Sequence, residues 1–142
     1  MALALIALIA GCAAPSPSQP ADSAWNEPVA GASAVTEWRD DGQPTAPFGP
    51  GGPIWGSPDE LIRGMAQALS ATGDARTTGR VVERRESGTV VGWVRIELPE
   101  PDGNLVAGDL RIEMRNDGGS WFVTTVESRE YCAAALTDGA CR

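Results

Sequence analysis

Two stretches of strict alternation constrain the fold of this chain more than anything else in it. Val90, Gly92, Val94, Ile96 and Leu98 alternate with Val91, Trp93, Arg95 and Glu97. Val106, Gly108, Leu110, Ile112 and Met114 then alternate with Ala107, Asp109, Arg111, Glu113 and Arg115. Successive side chains of a strand point to opposite faces, so each run predicts a long strand with one apolar face. The Pro-Glu-Pro-Asp-Gly-Asn loop from Pro99 to Asn104 joins them as a hairpin. Asn116, Asp117, Gly118 and Gly119 supply the next turn, and Trp121 to Val126 the last strand. Upstream, Val81 to Glu86 reads as a weaker edge strand turning at Ser87 and Gly88. The sum is a four-stranded antiparallel meander. If Leu98 pairs with Val106, Arg95 lies opposite Asp109 and Trp93 opposite Arg111, giving an ion pair and a cation–π contact.

One apolar sheet face needs a cover, and the segment before the strands provides it. Ser57 is placed as an N-cap, Pro58 falls at the first helical position, Asp59 complements the helix dipole and Glu60 completes a capping box. Leu61, Ile62, Met65, Ala68, Leu69 and Thr72 recur at helical spacing to about Ala71, where Thr72 and Gly73 stop the helix. The expected fold class is therefore α+β, one N-terminal helix packed on the meander.

The three cysteines divide unequally. Cys132 and Cys141 lie close together at the C-terminus, and a disulfide there fits an oxidising compartment. Their spacing suits neither a two-residue redox motif nor a metal site, since the chain has no His to complete one. Cys12 stands alone, directly after an apolar run, Ala2 to Ile9, and the small residues Ala10 and Gly11. Ile9-Ala10-Gly11-Cys12 resembles the signal of bacterial lipoproteins. That resemblance implies diacylglyceryl transfer to the Cys12 thiol, acyl chains of the palmitate class, cleavage before Cys12, and residence on the extracytoplasmic side of a cell membrane. No Lys or Arg precedes the run, so either the start lies upstream of Met1 or the signal is weak. An ordinary secretory signal or a short apolar helix are the alternatives; the run is too short to cross a bilayer, which takes about 20 residues.

Between Cys12 and the helix the composition changes. Ala13 to Pro53 holds eight prolines among many Ser, Ala and Gly, which predicts a disordered tether spanning roughly 35 Å as a coil and up to about 130 Å fully extended. The expected organisation is a signal peptide over 1–11, a lipidated Pro-rich linker over 12–53 and an α+β domain over 54–142. Phe48, Ile54 and Trp55 are expected to fold back as a lead-in to the domain, with Trp25 and Trp38 left open.

Function is less legible. The net charge is -8, so the chain has no field to attract nucleic acid. Without His there is no imidazole metal site and no conventional catalytic triad, and no phosphate-binding glycine loop lies between a strand and a helix. No catalytic residue, metal ligand or cofactor is expected. The element order over Ser57 to Ser128 is similar to cystatin-like and NTF2-like α+β domains. In enzymes of that class a pocket between helix and sheet carries an acid and a base, whereas Asp109 and Glu113 here are expected to face away from the helix. Two readings follow. The first is a non-catalytic binding or interaction module, held to the membrane by the lipid on Cys12, whose ligand is an envelope protein or a small molecule. Its contact surface would be either the outer sheet face around Trp93, Arg95, Arg111 and Phe122 or the groove between helix and sheet. The second is a small NTF2-like enzyme, which requires an open pocket between helix and sheet.

Overall fold

A computed structural model describes residues 26–142. Its elements in chain order are β1 (Ala34–Val35), β2 (Arg39–Gly42), α1 (Pro58–Ser70), β3 (Arg76–Arg84), β4 (Val90–Asp102), β5 (Leu105–Asp117) and β6 (Ser120–Cys132). The fold is α+β, with α1 lying on one face of a curled antiparallel sheet. The sheet runs β1-β6-β5-β4-β3, and β2 also pairs with β6. The meander of β3 to β6 is therefore present, extended by two short strands from the segment expected to be linker.

Helix α1 begins as its sequence dictates. Ser57 Oγ accepts from the Glu60 N–H at 3.1 Å, and the Glu60 carboxylate accepts from the Gly56 N–H at 2.9 Å. The inward side chains are Leu61, Ile62, Met65 and Ala66. Ala66 takes the buried place expected for Ala68, which is exposed. Opposite the helix, Val90, Val94, Ile112, Met114, Val123 and Val126 complete the core. Ile62 is seated by two glycines on neighbouring strands: a Cβ on Gly92 would come within 2.3 Å of Ile62 Cδ1, and one on Gly79 within 2.8 Å of Ile62 Cγ2. The interface between helix and sheet is filled.

The expected register is found, with Arg95 opposite Asp109 and Trp93 opposite Arg111. The strands run longer than expected. β4 continues through Pro99 and Pro101 to Asp102, and the chain reverses over Gly103 and Asn104, with Gly103 at φ 59. Proline cannot donate to a ladder, and the pairing shifts register between Glu97 and Asp102, where the two prolines sit. β3 begins at Arg76 instead of Val81, and β6 continues past Val126 to Cys132. The Cys132–Cys141 disulfide, with Cα atoms 5.2 Å apart, fastens the C-terminal tail to the end of β6.

The larger difference lies upstream. Residues 26–53 were expected to be tether, yet much of this stretch is bound to the sheet. Ser33 and Thr36 donate backbone hydrogen bonds to Cys132 and Glu130 at 2.8 and 2.9 Å, and Arg39 pairs with Ser128. Further on, the Trp121 and Val123 N–H groups donate to the carbonyls of Trp55 and Phe48 at 3.0 and 2.8 Å. The Phe48 and Trp55 rings stack with centroids 5.7 Å apart, as a lead-in requires, whereas Ile54 is 81% exposed. The composition misled because the edge of β6 supplies the partners that this proline-rich segment lacks by itself. The signal sequence, Cys12, the first third of the linker and Trp25 lie outside the described residues.

Candidate functional site

The outer sheet face is the first expected contact surface, and it is not open. Residues 26–38 cross it as a strap. Val29 and Ala32 pack on Val106, Ala107 and Tyr131, and the Pro28 carbonyl accepts from Arg95 Nη1 at 3.3 Å. Trp93 is 2% exposed and Arg95 4%, which corrects the expectation of an exposed patch around Trp93. Long arginine stems and the strap cover what the alternation alone left facing solvent.

Beneath the strap, cations and rings alternate without a break. Arg80 and Arg95 stand over Trp93 at 4.8 and 4.9 Å, Arg95 and Arg129 over Tyr131 at 5.1 and 5.2 Å, and Arg129 and Arg111 over Trp38 at 4.5 and 4.8 Å. Arg111, expected over Trp93, thus has Trp38 for its ring and is also paired with Glu127. Each contact contributes about 0.5 to 2 kcal/mol, more where water is excluded.

Asp109 sits at the centre with no exposed surface. Its carboxylate accepts from Arg95 Nε and Nη2 at 2.8 and 3.0 Å, from Arg129 Nη2 at 2.9 Å and from the Tyr131 hydroxyl at 2.8 Å. Burial alone would raise its pKa, but hydrogen bonds from Arg95, Tyr131 and Arg129 outweigh this and hold the carboxyl below its ordinary value. Burial likewise pushes the Tyr131 phenol upward, and its bond to Asp109 adds to this, so its pKa reaches about 12. For Arg95, desolvation is outweighed by the hydrogen bond to Asp109, and the guanidinium is held above its ordinary value. One buried carboxylate thus joins Arg95 of β4 to Arg129 and Tyr131 of β6 across β5, and the cluster acts as a keystone of the fold. Asp109 faces away from the helix as expected.

Phe122 does not join this cluster. It pairs with Arg115 near the far end of β5, half-buried, and lines a shallow hollow with the Gly49–Ile54 loop. Sequence reasoning missed Arg129 and Tyr131 because the last strand was ended at Val126, although Glu127, Arg129 and Tyr131 continue its alternation. It also missed Arg80 and Trp38 as ring and cation partners.

No family model, curated protein or solved structure matches the chain. The site is therefore read from its geometry. Among the described residues no group of His, Cys, Asp and Glu is placed to hold a metal ion, and no helix is long and apolar enough to cross a membrane.

The second expected surface, between helix and sheet, is closed at one end and open at the other. Thirteen residues of helix extend about 20 Å, whereas the thirteen residues of β4, β5 or β6 extend about 43 Å. Beyond the helix C-terminus, Ile96, Leu98, Leu105 and Leu110 remain half-buried. With Gly108, Ser128, Glu130 and Arg39 they line a groove of about 190 Å³. A Cβ on Gly108 would meet only the Arg129 carbonyl oxygen, at 3.5 Å, so no side chain closes the groove over it. Ser128 Oγ is buried with no hydrogen-bond partner. Leu98 also lines a wider cleft of about 540 Å³ between the strap, the start of β3 and the β4–β5 hairpin, so the two concavities meet at that side chain.

Proposed function

We propose that the chain is a lipid-anchored cell-envelope lipoprotein and acts as a non-catalytic binding module through the open end of the groove between helix and sheet. The observation that carries the anchor is the cysteine arithmetic. Cys132 and Cys141 pair with each other, which suits an oxidising compartment, and Cys12 is the odd cysteine, standing directly behind the apolar run. The module reading is supported by a groove whose walls are Ile96, Leu98 and Leu110 and whose floor is bare at Gly108.

The NTF2-like enzyme needs an open pocket where Ile62 sits against Gly79 and Gly92. Leu61, Ile112, Met114 and Val123 occupy the rest of that space, each without exposed surface. The binding reading is the better supported of the two.

Each half has its own test. Cells grown with labelled fatty acid should acylate the native chain and retain it in the membrane fraction; the Cys12→Ser variant should lose both. Labelling that persists in the variant refutes the anchor. For the module, a photo-cross-linking residue in place of Leu110 should give adducts in intact cells, and the same residue in place of the exposed Arg115 should not. Absence of any adduct from position 110 sinks the binding role.

A further inference from the structure

We infer that the groove takes a basic segment of a partner protein, an aliphatic or aromatic side chain seated over Gly108 and flanking Lys or Arg side chains held by the carboxylates around it. This deepens the module reading and rests on it, but is independent of the lipid anchor. The argument begins with the floor. Ile96, Leu98, Leu105 and Leu110 come from two adjacent strands, and the missing side chain at Gly108 leaves a depression between them. An apolar group entering there removes the half-exposed leucines and isoleucine from water, at roughly 25 cal/mol per Å².

Charge selects among the apolar groups that would fit. Arg39, at the β6 end of the groove, lies between two carboxylates, 3.7 Å from Asp41 and 3.8 Å from Glu130. At the other end, Asp74 and Glu97 line the adjoining cleft, with Arg76 paired to Glu97. Glu100 and Asp102 follow Leu98 on the hairpin, both exposed. At the β6 end Arg39 and Arg129 balance the carboxylates, but at the hairpin end carboxylates outnumber guanidiniums beside the apolar floor, on a chain with net charge -8. A fatty acid or anionic lipid would bring its own negative charge to this rim, whereas a basic segment complements it.

The experiment uses the full chain carrying Cys12→Ser, so that no acyl chain or detergent competes for the groove. A fluorescent Arg-Leu-Arg-Leu-Arg peptide, its Glu-Leu-Glu-Leu-Glu counterpart and a fluorescent fatty acid are titrated by anisotropy. The basic peptide should bind at least ~10-fold more tightly than the acidic one, with affinity falling as salt rises. Gly108→Leu fills the depression at a position where a Cβ meets only ordinary contact, and should weaken the basic peptide ~10-fold, the loss expected for a blocked anchor pocket, with an unchanged unfolding midpoint. Glu130→Gln should weaken binding and flatten its salt dependence. Equal binding of both peptides, no binding of either, or indifference to Gly108→Leu overturns the inference. A fatty acid that binds in the groove in preference to the basic peptide also overturns it, while leaving the binding module itself standing.

Discussion

At the scale of single residues, Asp109 makes the fold depend on pH at both extremes. Its carboxyl is held below the ordinary range, so the stability it contributes is present above the unfolded value of about 4 and is lost as pH falls through the lower native value. The phenol beside it works in the opposite direction. The neutral form of Tyr131 is favoured in the folded state, so its contribution is complete below about pH 10 and disappears as pH rises through about 12. Tyr131 is the only tyrosine, so phenolate absorbance reports on this one site. An absorbance titration should give a midpoint near 12 in the native protein and near 10 in denaturant; a native midpoint near 10 would show that the phenol is not held by Asp109. Removing the carboxylate tests the same cluster. Asp109→Asn leaves Arg95 and Arg129 without their counter-charge beneath the strap, and should cost about 3–5 kcal/mol in denaturant unfolding. A loss under 1 kcal/mol, the range of an exposed pair, would show that water reaches the site.

At the scale of elements, the glycines beneath α1 set how closely the helix approaches. Gly92→Ala places a methyl 2.3 Å from Ile62 Cδ1 and should destabilise the fold by about 1–3 kcal/mol, read from the shift in urea midpoint. The disulfide acts at the other end of the sheet. Reducing Cys132–Cys141 opens a short loop and should cost roughly 2–3 kcal/mol, with faster amide exchange at Tyr131 and Cys132 and unchanged exchange in α1. Exchange that rises equally everywhere would mean that the bridge holds the whole domain. These elements differ in how far their residues announce them. The Ser57–Glu60 capping box and the alternation at 90–98 are local chemistry and are legible directly; so is the register, because Arg95 and Asp109 are matched once Leu98 faces Val106. Strand ends were less legible, since Pro99 and Pro101 read as a loop but are accommodated by a register shift. β1 and β2 had no local signal at all, because Ala34–Val35 and Arg39–Gly42 become strands only when β6 lies beside them.

At the scale of the whole molecule, the strap moves the folded unit upstream. A chain beginning at residue 54 lacks the cover over Trp93 and Asp109 and both partners of the β6 edge, whereas one beginning at Asn26 keeps them. The 26–142 fragment should melt cooperatively at the temperature of the full chain, and the 54–142 fragment should melt well below it or bind hydrophobic dye at rest; equal melting of the two would show that the strap is ornamental. If Cys12 carries lipid, the reach of the tether also shortens. Fourteen residue steps separate Cys12 from Asn26, at most ~50 Å fully extended, against the ~130 Å that a linker to Pro53 would permit. The same strap hides the outer face that alternation suggested and leaves the groove between helix and sheet, the other surface expected, as the open one. The groove was legible only as arithmetic between a short helix and long strands. The way β1 and β2 close the β6 side of the sheet also limits how copies of this protein can join. Among the described residues the long free margin is β3, and Arg76, Arg80 and Arg84 stand along it. A second copy that overcame those charges to pair there would consume the one long margin on each molecule. Growth by pairing of these long margins would stop at two copies.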